Sequence, residues 1–456
     1  LAIIVLALVV RAIPLLAAWQ TPQRYLTPDS FAYLALGGDL SANFQPASEL
    51  FEQGLNRTPG YPMLVGASFA LFGESIRSVI VMQFILSAVS IVVCYRLARC
   101  WFGDKIALTS AFLLGVDPLS ACYVSYVQNE MLFTLCLMVA TVLWCGVWQT
   151  ASKGSAIISG LTFGFATLVR PAGLYLPLLL LPPLLLKSTP LRTRFACGGL
   201  FLASYLVPLG VWITHNYVYA GMPELSVIEG KELLYCRAAG AVSESRGITR
   251  LQAATELAEV LWSEHGVSLS DADRRVVAEH MKGNWIGLNR FFDEAVSVAG
   301  VSQTTSYGLL HAEKQLALKT LLDHPGGAIA TAGKGGARLL FGPGLRNFLQ
   351  LLGLDTIPGR SSRPAMILLA ILVSCLGIFY LGAGLGFRAL LRAKQHTALY
   401  ILVGFILYFT LVSLGPTAYS RYRVPLMPYL CILAAYGFVN WRSALGKSFC
   451  TSEGRL

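Results

Sequence analysis

Charge is scarce in this chain: only 13% of its 456 residues are Asp, Glu, Lys or Arg, while 55% are hydrophobic. Soluble globular domains carry about 25% charged residues, so this composition excludes an ordinary soluble domain and makes lipid the solvent for most of the chain. Cysteine organises nothing. The ten cysteines contain no CxxC pair and no Cys/His cluster, and Cys94, Cys136, Cys145, Cys197, Cys375 and Cys431 lie inside apolar runs, which excludes a disulfide framework and a zinc site. The six histidines are equally scattered; His215, His265, His280, His311 and His324 share one polar segment, and most read as solvated side chains. Internal repeats and low-complexity tracts are missing as well, which weighs against a transporter assembled from duplicated halves.

What is present is a series of apolar runs. They cover about residues 1–19, 76–97, 106–122, 130–148, 156–170, 171–186, 196–214, 365–386, 398–416 and 424–440, each long or nearly long enough to span. Leu1 to Trp19 reads as a first span cut short at its start and retained, since no cleavage pattern follows it. The net charge of +11 could suggest nucleic acid, but the basic residues cluster between the apolar runs, where membrane topology accounts for them. The basic connectors are Arg96, Arg99 and Lys105; Lys153; Lys187, Arg192 and Arg194; Arg388, Arg392 and Lys394; and Arg442 and Lys447. They share one side only if the short run 59–72 does not cross. That run is therefore expected to be a juxtamembrane or re-entrant helix, with both termini cytoplasmic.

The expected fold is all-α and polytopic, with ten to eleven transmembrane helices, an outer loop over residues 20–58 and a small helical extramembrane subdomain. Three regions follow: a transmembrane module at 1–214, an extramembrane helical segment at 215–364, and C-terminal transmembrane helices with a cytoplasmic tail at 365–456. Within the extramembrane segment, Thr249 to His265 and Asp271 to Arg290 read as helices.

The outer face receives the residues that can carry chemistry. Thr27-Pro28-Asp29-Ser30-Phe31-Ala32-Tyr33 places an acid at a helix start, with Pro28 biasing Thr27 to an extended form and helix expected to about Leu40. Alone, Asp29 reads as an N-cap. Beside several arginines on the same face it becomes a general-base candidate. Arg57-Thr58-Pro59-Gly60-Tyr61-Pro62 forms a rigid turn that holds Arg57 at headgroup depth, where snorkelling to lipid is the competing role. Tyr126-Val127-Gln128-Asn129-Glu130 opens a span whose only acid is Glu130, either functional or capping together with Asn129. Arg170-Pro171 and Ser420-Arg421-Tyr422-Arg423-Val424-Pro425 put guanidinium forks, matched to phosphate oxygens, at the same surface. These arginines oppose the basic-inside trend, so topology does not explain them.

Taken together, Pro28 to Tyr33, Arg57 to Pro62 with Leu71-Phe72-Gly73, Asn129-Glu130, Arg170-Pro171, His215-Asn216 and Arg421 to Pro425 resemble the GT-C glycosyltransferases. The bacterial branch similar to protein O-mannosyltransferases and aminoarabinose lipid A transferases looks nearest. The motifs run in family order from the first span to the last, and residues 220–325 carry no recognisable motif. The resemblance implies transfer of a sugar from a polyprenyl-phosphate donor to a glycan, lipid or protein acceptor at the outer face of a bacterial plasma membrane. It puts on Asp29 the carboxylate that removes the acceptor hydroxyl's proton, with Glu130 orienting substrate. Arg57, Arg170, Arg421 and Arg423 would bind the donor phosphate, and Tyr33, Tyr61, His215, Asn216 and Tyr422 would line the substrate site. Two departures stand out. Ser30 replaces the second acid of many relatives, which disfavours a divalent cation, and His215 replaces an Arg, so that one phosphate contact is either lost or made only by protonated His. No cofactor and no nucleic acid are expected. The rival classes are a flippase or solute transporter, with polar residues at mid-membrane depth, and a non-catalytic scaffold indifferent to loss of Asp29.

Overall fold

A computed structural model describes residues 2–42, 57–186, 190–264, 303–354 and 363–441. Among them the secondary structure is helical, without strands. The chain is a polytopic helical membrane protein. Among the described residues five helices are long and apolar enough to cross a membrane, or six if a bent pair counts as one. That is fewer than the ten expected. The runs at 1–19, 156–170, 171–186 and 398–416 end at caps and prolines, and their helices have at most 17 residues. About 20 residues are needed to span untilted.

The first half is built from α1 (Ala2–Ala18), α2 (Pro28–Ala42), α3 (Gly60–Phe72), α4 (Ile76–Arg99), α5 (Asp104–Val116), α6 (Pro118–Val124), α7 (Glu130–Thr150), α8 (Lys153–Val169), α9 (Leu176–Leu186) and α10 (Leu191–Ala220). Helix α3 packs on α2 and has 13 residues. At 1.5 Å per residue it reaches about 20 Å, short of a hydrocarbon core of about 30 Å, in keeping with a juxtamembrane helix.

The run at 106–122, expected as one span, is two helices bent by 58°. Asp117 makes the break: its carboxylate accepts from the Ser120 amide at 2.8 Å, starting α6 behind Pro118. The carbonyls that the break frees at the end of α5 are taken by Arg11, which donates to Gly115 O at 2.5 Å and Leu114 O at 3.0 Å. Arg11 is only 2% exposed, so the apolar runs are not free of charge, as their hydropathy suggests. A guanidinium is tolerated there because backbone carbonyls surround it.

Beyond α10 come α11 (Ile228–Lys231), a π-helical turn (Glu232–Ala238), α12 (Ala239–Arg246), α13 (Arg250–Glu264), α14 (Gln303–Asp323), α15 (Pro325–Phe341) and α16 (Leu345–Leu352). Leu234, Tyr235, Val242, Ala254, Leu257 and Leu261 form a second apolar core separate from that of the bundle. Helix α13 matches the expected Thr249–His265 helix; the one expected at Asp271–Arg290 lies outside the described residues. The chain closes with α17 (Arg363–Arg392), α18 (His396–Val412), a 3-10 segment (Ser420–Leu426) and α19 (Met427–Val439). Helices α7 and α19 lie in the interior, whereas α17 and α10 present long apolar faces outward.

Candidate active site

Five chain segments deliver their polar residues to one end of the bundle. Helix α2 starts with Thr27 as cap and Pro28 in the first turn; the Thr27 amide donates to Ser30 Oγ at 2.9 Å, the backbone half of a capping box with Ser in place of Glu. Because Ser30 does the capping, Asp29 is left free of it. Helix α8 ends at Val169 because Pro171 forces Arg170 into extended backbone, at φ −150° and ψ 118°. A Cβ on Gly60 would come within 2.7 Å of Val169 N, so only glycine lets the Arg57 turn press against that helix end.

The result is a chain of alternating charges. Asp29 Oδ1 meets Arg57 Nη2 at 2.7 Å, and Asp29 Oδ2 meets Arg421 Nη1 at 3.0 Å. Arg421 Nε approaches Glu130 Oε1 at 3.6 Å, and the same oxygen accepts from Arg170 Nη1 at 3.0 Å. The aromatic rings space the cations. Tyr422 lies beneath both Arg170, at 4.6 Å, and Arg421, at 4.9 Å, and Tyr33 lies beneath Arg57 at 5.3 Å. Arg421 also donates to the Tyr422 hydroxyl at 3.1 Å. Three guanidinium groups face two carboxylates, which leaves one unbalanced positive charge. Burial alone would raise the Asp29 pKa, but Arg57 and Arg421 outweigh it and hold the carboxyl well below the usual range. Glu130 is 1% exposed and its Oε2, like the Nε atoms of Arg57 and Arg421, is buried with no hydrogen-bond partner among the described residues.

Behind these charges lies a polar frame. Asn129 donates to the Tyr33 hydroxyl at 3.0 Å and to Val169 O at 3.2 Å, and makes no side-chain cap on α7. Tyr61 packs edge-on to Tyr33 at 4.7 Å and donates to Gln83 Oε1 at 2.9 Å. Gln83 in turn donates to Val124 O and Tyr126 O at 3.0 and 2.8 Å. Ser30 Oγ donates to Val127 O at 2.8 Å, and Gln128 donates to Thr27 Oγ1. Gln83 is missing from the sequence reading, although a lone amide amid the apolar run of α4 was a signal for it.

Of the residues singled out in the sequence, Asp29, Arg57, Glu130, Arg170, Arg421, Tyr33, Tyr61 and Tyr422 come together. Three do not. Arg423 is turned away from the cluster: its Nη1 donates to the carbonyls of Leu339, Leu340 and Gly342 at 2.8, 2.9 and 3.1 Å, and it is 3% exposed. It closes the end of α15, so the expected phosphate role is corrected to a structural one. His215 stacks on Trp212 and Tyr219 at 4.8 and 4.6 Å, and Asn216 donates to Glu224 O at 2.8 Å. Among the described residues neither has a hydrogen bond, ion pair or ring contact to the cluster. Asn216 fastens the end of α10 to the turn that follows, while the ring contacts of His215 stay within α10.

Among the described residues no group of three or more His, Cys, Asp or Glu side chains could hold a metal ion. The two acids of the cluster are already neutralised by arginines, so the donor set does not suit a cation.

This helical membrane bundle is similar in fold to solved oligosaccharyltransferases, and comparison agrees with the resemblance read from the motifs. Residues 56–212 match the sequence profile of the dolichyl-phosphate-mannose-protein mannosyltransferase family, about a third of the chain. In structure the chain is similar to the apo oligosaccharyltransferase of Archaeoglobus fulgidus, with a TM-score of 0.52 and 14% identity over 95% of this chain and 50% of that one. The archaeal oligosaccharyltransferase AglB from Archaeoglobus fulgidus, in complex with an inhibitory peptide and a dolichol-phosphate, gives 0.52 and 13% over 100% and 52%. ArnT from Cupriavidus metallidurans bound to undecaprenyl phosphate gives 0.41 and 16% over 98% and 77%. The chain thus spans about half the length of the oligosaccharyltransferases it matches. No protein of curated function is matched by sequence alone.

Proposed function

We propose that this chain moves a sugar from a polyprenyl-phosphate donor to an acceptor hydroxyl, with inversion, at the outer face of a bacterial plasma membrane. The observation that carries the proposal is the alternating cluster Arg57–Asp29–Arg421–Glu130–Arg170, drawn from five distant segments to one end of an apolar bundle. It suits a reaction whose leaving group is a phosphate anion. Such a group needs no general acid, so one carboxylate base and several cationic donors suffice. Asp29 takes the acceptor proton. Arg57, Arg170 and Arg421 receive the phosphate, whose oxygens fit the guanidinium fork. Glu130 presents the unpartnered Oε2 to a sugar or acceptor hydroxyl, and Tyr33, Tyr61 and Tyr422 line the sugar site. In this reading the shorter apolar helices also cross, giving about ten spans. Residues 215–364 form the extramembrane segment that meets the acceptor, since binding residues concentrate on segments outside a rigid scaffold.

The structural likeness supports the donor class: the similar AglB complex holds a dolichol-phosphate. Purified protein supplied with a polyprenyl-phosphate sugar and an extract of envelope acceptors is expected to release polyprenyl phosphate. The Asp29→Asn protein is expected to insert normally and to lose about 10²–10⁴-fold in rate, the usual contribution of a general base. Vesicle uptake without any sugar transfer would instead assign the chain to the transporters. Turnover unaffected by Asp29→Asn would remove the base role.

A further inference from the structure

The same two arginines are asked to do two things. As the site stands, the carboxylate proposed as base has both oxygens occupied, one by Arg57 at 2.7 Å and the other by Arg421 at 3.0 Å, and these are two of the groups proposed to bind phosphate. A carboxylate gripped in this way is a weak proton acceptor, since basicity falls as the pKa falls. In the state described, Asp29 is masked.

We infer that the donor's phosphate is what unmasks it: in seating, the phosphate draws Arg57 and Arg421 away from Asp29, so the carboxylate becomes a base only when a donor is in place. The inference rests on the polyprenyl-phosphate reading above.

Four observations carry it. The cluster has one positive charge in excess, which a phosphodiester with a single negative charge neutralises while competing with Asp29 for the guanidinium groups. The Nε atom of Arg57 is buried and makes no hydrogen bond among the described residues, so its fork has a donor that a tetrahedral oxyanion can use and Asp29 does not. Among the described residues Arg57 has few partners. Apart from Asp29, its one described contact is the face of Tyr33 at 5.3 Å, so it can swing without breaking other hydrogen bonds. Arg421, by contrast, also holds the Tyr422 hydroxyl at 3.1 Å and Glu130 at 3.6 Å, contacts that keep it in the cluster when phosphate takes its Nη1 from Asp29.

The groups around Asp29 make the change one-directional. Arg57, from the turn before α3, and Arg421, from the 3-10 segment, are the cations on it. Tyr33 lies one helical turn along α2; Glu130, Arg170 and Tyr422 stand beyond Arg421, and Tyr123 lies toward that side from α6. Once the two guanidinium groups are shared with phosphate, the remaining cation, Arg170, stays on Glu130, and the negative charges of the phosphate and Glu130 favour the protonated form of Asp29. The carboxylate then accepts the acceptor's proton as the hydroxyl oxygen bonds to the anomeric carbon. The bond from that carbon to the phosphate oxygen breaks with its electron pair, and polyprenyl phosphate keeps the arginines. When the lipid phosphate departs, Asp29 releases its proton and the ion pairs close again. Acceptor activation without a donor is thereby suppressed.

The test is proton linkage in the full-length protein in detergent. The probe is a sugar-free ethyl polyprenyl phosphodiester, which cannot react and whose single acidic group stays ionised across the range used. Calorimetric titration at about pH 4, in two buffers of different ionisation enthalpy, is expected to show proton uptake. Roughly half a proton should be taken up if the freed carboxyl returns to its ordinary value of about 3.9. Asp29→Asn is expected to bind the probe with that uptake abolished. Should this variant not fold, wild-type binding alone reads the same linkage: affinity should strengthen as pH is lowered toward 4. Probe binding with no proton uptake and no strengthening, or with identical uptake in Asp29→Asn, overturns the unmasking and leaves the proposed function standing. A folded wild type that does not bind the probe at all overturns both.

Discussion

Arg421 and Asp29 stand 392 positions apart in the chain and form an ion pair at 3.0 Å. The pair joins the segment before the last helix to the first polar loop, so its geometry depends on every helix between.

The Asp29 ion pairs have a pH signature. Arg57 and Arg421 overcome the effect of burial and hold the Asp29 carboxyl below its ordinary value. A group depressed in this way stabilises the fold fully above its unfolded pKa of about 3.9, and loses that contribution only as pH falls through the folded value. Thermal unfolding in detergent should therefore show a gap between wild type and Asp29→Asn that is constant from neutral pH to about 4 and shrinks only in stronger acid. A gap that already closes between pH 7 and 5 would contradict the ion-pair account. With Asp29 about a quarter exposed, the gap itself should be small.

Replacing Arg57 or Arg421 by Lys keeps the charge and removes the fork. Steady-state kinetics with varied donor are expected to show a drop in kcat of about 10²–10³-fold for Arg421→Lys, the loss typical of a donor to a developing anion. Arg57→Lys is expected to act mainly through donor KM. Wild-type parameters in both variants would exclude phosphate binding at this pair.

Arg423 tests the distinction between neighbouring arginines. Its removal strips three carbonyls at the end of α15 of their shared donor. A hydrogen bond to a charged group contributes about 1.5–3 kcal/mol, so Arg423→Ala should lower the unfolding temperature by several degrees while the folded fraction keeps its donor KM. A raised donor KM with unchanged stability would return Arg423 to the phosphate site.

Gly335 controls the approach of α15 to the turn that precedes Arg421. A Cβ there would lie 2.0 Å from Gly415 O, closer than any packing allows, and Gly415 itself has φ of 144°. Gly335→Ala is expected to displace that turn and reduce transfer by an order of magnitude or more, while Gly333→Ala, where nothing lies within 4 Å, should be silent. Equal activity in both variants would show that the turn is not positioned by this contact.

The membrane class, the helical fold and most members of the charge cluster were legible in the chain itself. Hydropathy, charge placement and the proline-marked turns are local properties, and each keeps its meaning wherever the segment packs. Lone charges such as Asp29, Arg170 and Arg421 stood out because they run against that background. The partners of those charges were not legible. Arg421 and Arg423 are two residues apart and chemically identical, yet one reaches Asp29 and the other the end of α15. Likewise, the run at 106–122 looks continuous in hydropathy but breaks at Asp117, where Arg11 from another helix receives the freed carbonyls. The sequence determined which groups would be expensive to leave unpaired in a low-dielectric bundle. Only the packing of distant helices decided which of them meet, because an ion pair or a carbonyl cap depends on ångström-scale distances that no local pattern encodes.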